Sequence, residues 1–259
     1  MAITKIGTDV TNTQNNATTF TFSHTLVAGS NRLIVVCTSI EQNPALSDPG
    51  VTSVSYGGVA MTRAVGKIGS YNYGSIWYLL ESGLGATGSK TVSVTHAGNI
   101  SGGYGASCMS YAGVSQVAPT TASNYVTNST TVSNTISTTT DDWVISAGVT
   151  GTDLATPTYN NSQVGVVALA PLSQALYVAE LRGATGQTSV NITLSASASR
   201  FIWCSAVFKA YVAPSNKRQV YVSGTWRDIS ALPKINVGGS SRSIVGGQVY
   251  TGGAWRTLF

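Results

Sequence analysis

The chain has 259 residues, of which 42% are hydrophobic and 9% are charged, and its formal net charge is +5. This composition excludes an intrinsically disordered chain, which needs low hydrophobicity and high net charge. The length allows one large domain with a substantial core and one small domain. Period-two alternation recurs throughout and no stretch keeps a helical period for three turns, so the sequence predicts an all-β protein.

The first hundred residues contain a series of strand-like segments. Thr18 to Leu26 alternates, and Arg32 to Ile40 is a continuous apolar run typical of a central strand. VTSVSYGG and VAMTRAV predict a hairpin around Gly57-Gly58. Gly66 to Gly74 is expected to be a glycine-punctuated loop, and the strands Ser75 to Glu81 and Thr91 to His96 follow it.

The next hundred residues continue this pattern. Tyr104 to Tyr111 is a predicted strand, a loop through Pro119 follows, and Asn124 to Thr138 offers one or two polar strands. The remaining predicted strands are Trp143–Val149, Val164–Leu169, Ala175–Leu181, Val190–Leu194 and Phe201–Phe208. Short strands separated by turn signals predict a sandwich of two packed antiparallel sheets over residues 1–210. The polar residues 211–218 are predicted to be a linker to a second domain.

Residues 219–259 contain one eleven-residue unit three times. The units are QVYVSGTWRDI from Gln219, KINVGGSSRSI from Lys234 and QVYTGGAWRTL from Gln248. Each predicts a β-hairpin with a two-residue turn, which places its third position opposite its eighth. These opposite residues are Tyr221 and Trp226, then Tyr250 and Trp255, whereas Asn236 and Ser241 replace both aromatic residues of the middle unit.

The net positive charge lies entirely in residues 217–259, which are the region of the three units and the two residues before it. Six basic residues and one acid follow Tyr211, and residues 1–216 sum to zero. Each unit carries one arginine, namely Arg227, Arg242 and Arg256. Such charge favours an acidic partner, or else it serves only solubility. Nucleic acid is not expected as a partner, because no recognised binding motif is present.

Several classes of function find no support in the sequence. Cys37, Cys108 and Cys204 lie in strand-like runs without metal-ligand spacing and are predicted to be buried free thiols. The N-terminal residues have no apolar signal core, and no apolar run is long enough for a membrane span, so we expect neither export nor membrane insertion. No metal or cofactor is expected.

Catalysis is not expected either. His24 and His96 lie in strand-like alternation, where a histidine is most often packed, and Asp141-Asp142 precedes a strand as a solvated turn would. The other carboxylates show no local pattern that selects a catalytic pair. No nucleophile elbow or phosphate-binding loop is present.

Two groups of residues are candidates for binding. Tyr71 and Tyr73, together with Tyr104, form a predicted receptor-binding loop, because aromatic side chains on glycine-rich loops suit sugar stacking; alternatively they cover a sheet edge. The second group is predicted to anchor the chain to a neighbouring protein, or alternatively to pack the hairpins together. It consists of Tyr221, Trp226, Arg227, Arg242, Tyr250, Trp255 and Arg256.

Four segments resemble a known family. SVSYGGVAMTRAV, SIWYLLE, KTVSVTHAG and SYAGVSQVAP resemble a jelly-roll-type sandwich domain of bacteriophage virion proteins and some bacterial surface proteins, over Thr18 to Ala210. The Val-Tyr-x-x-Gly-x-Trp-Arg units resemble short repeats at the ends of phage tail and fibre proteins. The resemblance implies a jelly-roll-like sandwich followed by a small domain of three hairpins.

This resemblance also implies a function. The expected protein is a non-enzymatic virion component of the fibre, tail or collar, made in the host cytoplasm and commonly trimeric. Its expected partners are other virion proteins and a host surface glycan or receptor. Two alternatives remain: a capsid decoration (cement) protein, and a bacterial carbohydrate-binding or adhesin module, which the missing export signal disfavours.

Overall fold

The structure is a computed structural model that describes residues 2–15, 17–41, 50–97, 103–151, 155–169 and 174–213, and the backbone of six short strands between residues 219 and 257. The chain divides into two compact units, Met1–Val212 and Ala213–Phe259. Most described residues lie in antiparallel β-strands, which confirms the all-β prediction.

The first half of the larger unit contains ten strands and one short helix. Their bounds are β1 Thr4–Lys5, β2 Val10–Asn15, β3 Thr19–Leu26, β4 Leu33–Glu41, β5 Val51–Tyr56, β6 Val59–Ala60, β7 Thr62–Gly69, β8 Asn72–Leu80, α1 Glu81–Leu84, β9 Gly88–His96 and β10 Gly103–Ala112.

These ten strands form two sheets with the strand order of a jelly roll. In sheet 1, β10 pairs with β1 and β2 on one side and β4 on the other, and β8 and β7 follow β4. In sheet 2 the order is β3, β9, β5, β6. The paths β2-β10-β4-β8 and β3-β9-β5-β6 are those of two interlocked Greek keys. The jelly roll therefore occupies residues 4–112, which is about half of the span over which the resemblance was seen.

The second half of the unit forms a third sheet. Its strands are β11 Thr120–Thr135, β12 Asp142–Thr150, β13 Pro157–Tyr159, β14 Val164–Leu169, β15 Ala175–Ala184 and β16 Ser189–Phe208. In sheet 3 the order is β11, β16, β12, β15, β14, and β13 also pairs with β16. The two-sheet sandwich of the sequence analysis is thus corrected to three sheets.

Sheet 3 bends back over its own outer face. β16 is a single strand of 20 residues, and its partner β11 has a register shift between Ser129 and Thr131. Beyond this irregularity, Val132 and Ile192 pack against Trp203 in a core of their own. The bend therefore gives sheet 3 apolar contacts on both faces.

An asparagine fixes this bend. Asn134 Nδ2 donates to the carbonyl oxygen of Trp203 at 2.8 Å and to Ser205 Oγ at 2.9 Å. Because Asn134 is buried, these hydrogen bonds satisfy its Nδ2 donor group, which would otherwise destabilise the fold.

Sheet 1 lies between the other two sheets. Strands β4 and β10 are buried over their whole length; the apolar run of β4 predicts this, whereas the small residues of β10 do not. The core between sheets 1 and 2 includes Val36, Val54, Trp77 and Val94, and the core between sheets 1 and 3 includes Val35, Ile76, Ile145 and Ile202.

A buried carboxylate joins sheet 1 to sheet 3. Glu180 on β15 is fully buried and accepts hydrogen bonds from Lys5 Nζ at 2.5 Å, Tyr111 Oη at 2.6 Å and Arg182 Nε at 2.9 Å. Lys5 also pairs with Asp9. We refer to these five residues as the Glu180 network. It holds the N-terminal segment against both sheets.

The two histidines are buried in the core between sheets 1 and 2. His24 Nδ1 lies 3.0 Å from Tyr56 Oη. His96 is 4% exposed, its ring lies parallel to that of Phe20, and no described residue forms a hydrogen bond with either of its nitrogens. Burial lowers the pKa of His24, and it lowers that of His96 to about 4.

The three cysteines are free and buried, as predicted from the sequence. Burial raises the pKa of all three thiols, that of Cys204 to about 12, so the nucleophilic thiolate is scarce at neutral pH.

We therefore expect no thiol of the native protein to react with Ellman's reagent at pH 8, and three equivalents to react in guanidinium chloride. Absorbance at 412 nm measures the reaction. Rapid reaction of a native thiol would show that the cores open on the timescale of the assay.

The smaller unit contains three two-stranded hairpins, as predicted. Their strands are β17 Gln219–Val222, β18 Thr225–Asp228, β19 Lys234–Val237, β20 Ser240–Ser243, β21 Gln248–Thr251 and β22 Ala254–Thr257. The turn residues between paired strands lie outside the described residues. No helix in the described part of the chain is long and apolar enough to span a membrane.

Candidate functional site

Strand ends of sheets 1 and 3 lie together at one end of the larger unit. In sheet 1 Glu41 at the end of β4 pairs with Asn72 at the start of β8, and in sheet 3 Thr150 at the end of β12 pairs with Phe201. Asn72 Nδ2 donates across the sheets to the carbonyl oxygen of Thr150 at 3.1 Å. We call this end, which also includes Arg200, the loop end.

The chain leaves the larger unit at the opposite end. The last part of β16 runs from Arg200 at the loop end to Phe208. Phe208 pairs with Trp143 at the start of β12. Ala210 then pairs with Val114, and the chain continues into the smaller unit.

Tyr71 lies in a tight turn at the loop end. Residues 66–74 form the β7–β8 hairpin rather than the predicted loop, with Ser70 and Tyr71 between the strands. Ser70 has a φ of 58°, a left-handed conformation that non-glycine residues rarely adopt. Tyr71 is 39% exposed and is the one aromatic residue classed as exposed among those whose side chains the structure describes.

Arg200 of sheet 3 covers one face of the Tyr71 ring. Its guanidinium carbon lies 5.1 Å from the ring centroid, within the range of a cation–π contact. Nη2 of Arg200 lies 2.5 Å from Glu41 Oε1 and 3.4 Å from the carbonyl oxygen of Gly151. A Cβ at Gly151 would lie 2.2 Å from Arg200 Nε, so a larger residue there would displace the guanidinium from this position.

A second tyrosine lies beside this turn. Tyr125 Oη is 3.4 Å from Ser70 Oγ, and its ring is partly exposed. The ring packs so closely on Gly69 that a Cβ there would lie 2.4 Å from it. The loop end therefore presents Tyr71, with the hydroxyl groups of Ser70 and Tyr125 beside it.

The structure corrects the predicted receptor-binding loop at two of its three residues. Tyr73 and Tyr104 are fully buried in the core between sheets 1 and 2. Arg63 Nη1 donates to Tyr73 Oη at 2.8 Å, and Tyr104 packs against His96 and Phe20. Because side chains of a strand alternate, Tyr71 and Tyr73 would share a face only in an unbroken strand, and the turn separates them.

The described carboxylates of the larger unit mostly serve as ion-pair partners. Besides Glu180 and Glu41, Glu81 pairs with Arg32, and Asp142 pairs with Lys209 at 2.7 Å. The Arg32 guanidinium lowers the pKa of Glu81. Within the described residues no group of three histidine, cysteine or acidic side chains is placed to hold a metal.

The smaller unit places the repeat residues in the predicted register. Tyr221 is opposite Trp226 and Tyr250 is opposite Trp255, while each arginine is opposite an aliphatic residue: Arg227 opposite Val220, Arg242 opposite Ile235 and Arg256 opposite Val249. Two residues that are directly opposite each other on antiparallel strands lie on the same face of the ribbon. The anchoring role of these residues stays a prediction.

No sequence motif identified Arg200, Glu41 and Tyr125 as parts of the loop end. One signal was available for Arg200: it is a lone charge between the small polar run SASAS and the apolar run FIWCSAVF. A charge next to a buried strand in a chain with few charges indicates a specific partner.

No family model and no curated protein matches this sequence. Among solved structures, one described as Cucumber Leaf Spot Virus is similar with a TM-score of 0.23 and 9% sequence identity, over 85% of this chain and 93% of that one. A TM-score this low does not establish a shared fold.

Proposed function

We propose that this protein is a non-enzymatic structural component of a bacteriophage particle, in its fibre, tail or collar, with the loop end directed at the host surface. The smaller, basic unit binds a neighbouring virion protein, and the chain assembles as a trimer. The observation that carries this proposal is the polarity of the larger unit: the exposed Tyr71 lies at one end, and the chain passes to the basic unit from the other.

The composition of the two units supports the same division of roles. The larger unit sums to zero charge, whereas the smaller unit carries the whole excess of +5. A basic segment attracts an acidic surface over about 8–10 Å at physiological salt, which suits docking to another protein.

The test is competition for adsorption. Purified full-length protein, added to host cells before the phage, is expected to slow phage adsorption at micromolar concentration. A protein that only cements the capsid would leave adsorption unchanged and raise the temperature at which particles release their DNA. That result would contradict the host-facing role and favour the decoration alternative.

The anchoring role has a separate test with a matched control. Replacing Arg242 and Arg256 by glutamine is expected to lower incorporation of the protein into purified particles at least about tenfold, measured by immunoblotting, because two charged contacts are lost. Replacing Lys67 and Lys90 of the sandwich by glutamine removes the same charge and should leave incorporation unchanged. Equal effects of the two pairs would show that only net charge matters.

A further inference from the structure

We propose that the loop end binds a neutral sugar residue, which stacks on Tyr71, and that Arg200 is the positioning residue of that ring. The inference rests on the proposed host-facing role and adds the chemical class of the ligand. It assigns residues of two sheets to one site, since Tyr71 follows β7 of sheet 1 and Arg200 lies on β16 of sheet 3.

The exposure of Tyr71 is the first observation. The other aromatic side chains that the structure describes are buried or partly buried, although the chain contains 12 tyrosines and 5 tryptophans. The exposed part of the Tyr71 ring gains no burial energy for the fold. A ligand that stacks on it would gain that energy on binding.

The way in which the ring is held is the second observation. Arg200 approaches one face, and Glu41 and Gly151 hold Arg200 from sheets 1 and 3. Ser70 keeps a left-handed backbone conformation in the two-residue turn. Holding a ring rigidly before binding lowers the entropy that the ligand contact must offset.

The charges at the site select the class of ligand. Arg200 is paired with Glu41 at 2.5 Å, and its buried Nε has no hydrogen-bond partner among the described residues, so the guanidinium offers little to an anion in solution. The hydroxyl groups of Ser70 and Tyr125 lie beside the ring and carry no charge. A pyranose ring matches this surface, because its C–H face stacks on an aromatic ring while its hydroxyls exchange hydrogen bonds with polar neighbours.

The ligand test uses an immobilised panel of neutral oligosaccharides and of acidic ones that carry sialic acid, uronic acid or sulfate. Fluorescently labelled full-length protein is expected to bind members of the neutral set. Tyr71→Ala should weaken that binding at least about tenfold, as for a central aromatic contact, and Tyr71→Phe less than about threefold. Val59→Ala, at a side chain 43% exposed in the β5–β6 hairpin, is the matched control and should bind as the native protein does.

The positioning role of Arg200 is tested by a double-mutant cycle. Arg200→Ala should weaken binding about fivefold to tenfold in the native background and less than twofold in the Tyr71→Ala background, because it acts through that ring. Arg200→Lys should recover part of the loss. An arginine that only stabilises the fold would lower the unfolding midpoint and weaken binding equally in both backgrounds, and that outcome would overturn the positioning role.

Binding confined to the acidic oligosaccharides, or no binding to any member of the panel, would overturn the assignment of the ligand. The adsorption experiment is independent of this panel. If the protein slows adsorption but binds no oligosaccharide of the panel, the sugar site alone is rejected. If it binds the neutral oligosaccharides but has no effect on adsorption, the proposed function alone is rejected.

Discussion

Replacing Glu180 by alanine is expected to lower the free energy of unfolding by about 3 kcal/mol, because it removes the carboxylate of a buried ion pair. Lys5 and Tyr111 lose an acceptor that lies at 2.5 Å and 2.6 Å, respectively. The loss should fall at the low end of the range for buried pairs, since Lys5 keeps Asp9 as a partner. Guanidinium chloride unfolding measures it.

Arg182 supplies the control within the same network. Its side chain is 48% exposed, so its attraction to Glu180 is screened by solvent, and Arg182→Gln should cost at most about 1 kcal/mol. If the two variants lost equal stability, the Glu180 network would act as an ordinary surface ion pair, and sheets 1 and 3 would be held together by their apolar core alone.

Acidification from pH 7 to pH 4 is expected to destabilise the protein by about 3 kcal/mol through His96 alone. The pKa of His96 is lowered to about 4 by burial, whereas the unfolded chain has a value near 6.5. Between these values the unfolded state binds a proton that the folded state does not, so stability falls as the pH falls. Below about pH 4 both states are protonated and the loss is complete.

The variant His96→Phe isolates this contribution. Phenylalanine keeps the ring contacts with Phe20 and Tyr104 and removes the two nitrogens, which form no hydrogen bond within the part of the chain that the structure describes. The variant should equal or exceed the native protein in stability at pH 7, and the difference should grow by about 3 kcal/mol at pH 4. His24 and Asp9 titrate in both proteins and cancel in the difference. Parallel stability curves from pH 7 to pH 4 would contradict the burial of an uncharged His96.

The sequence predicted those features that depend on neighbours along the chain. The segment from Arg32 to Ile40 contains an unbroken apolar run, Leu33 to Cys37, and β4 is indeed buried on both faces. The hairpins of the smaller unit were also predictable, because a two-residue turn fixes which residues are paired, and the joint loss of both aromatic residues at Asn236 and Ser241 matches that register.

Features that depend on distant parts of the chain were not predictable. The bend of sheet 3 rests on Asn134, whose hydrogen bonds reach Trp203 and Ser205, and no local pattern marks one asparagine among many. The third sheet was not predicted either, because no local pattern in β10 showed that sheet 1 is covered on both faces. β10 is buried on both faces although much of it consists of glycine, alanine and serine, so its composition did not indicate a central strand.

The loop end was half predictable. Tyr71 was identified from its glycine-rich surroundings, but Tyr73 has the same surroundings and is buried in the core. The difference arises from the turn at Ser70, which has a left-handed backbone conformation. A serine in the sequence does not indicate this conformation. The contact between Arg200 and Glu41 joins residues 159 positions apart, and only the packing of sheet 1 on sheet 3 brings them together.

The central position of sheet 1 has a consequence for synthesis on the ribosome. Its strands can close into the jelly roll once β10 has emerged, but the face that carries Val35 and Ile76 has no cover until β16 follows. At about 5–20 residues per second, that apolar face stays in water for roughly 5–20 s. During this interval chaperones and neighbouring nascent chains compete with sheet 3 for the same surface.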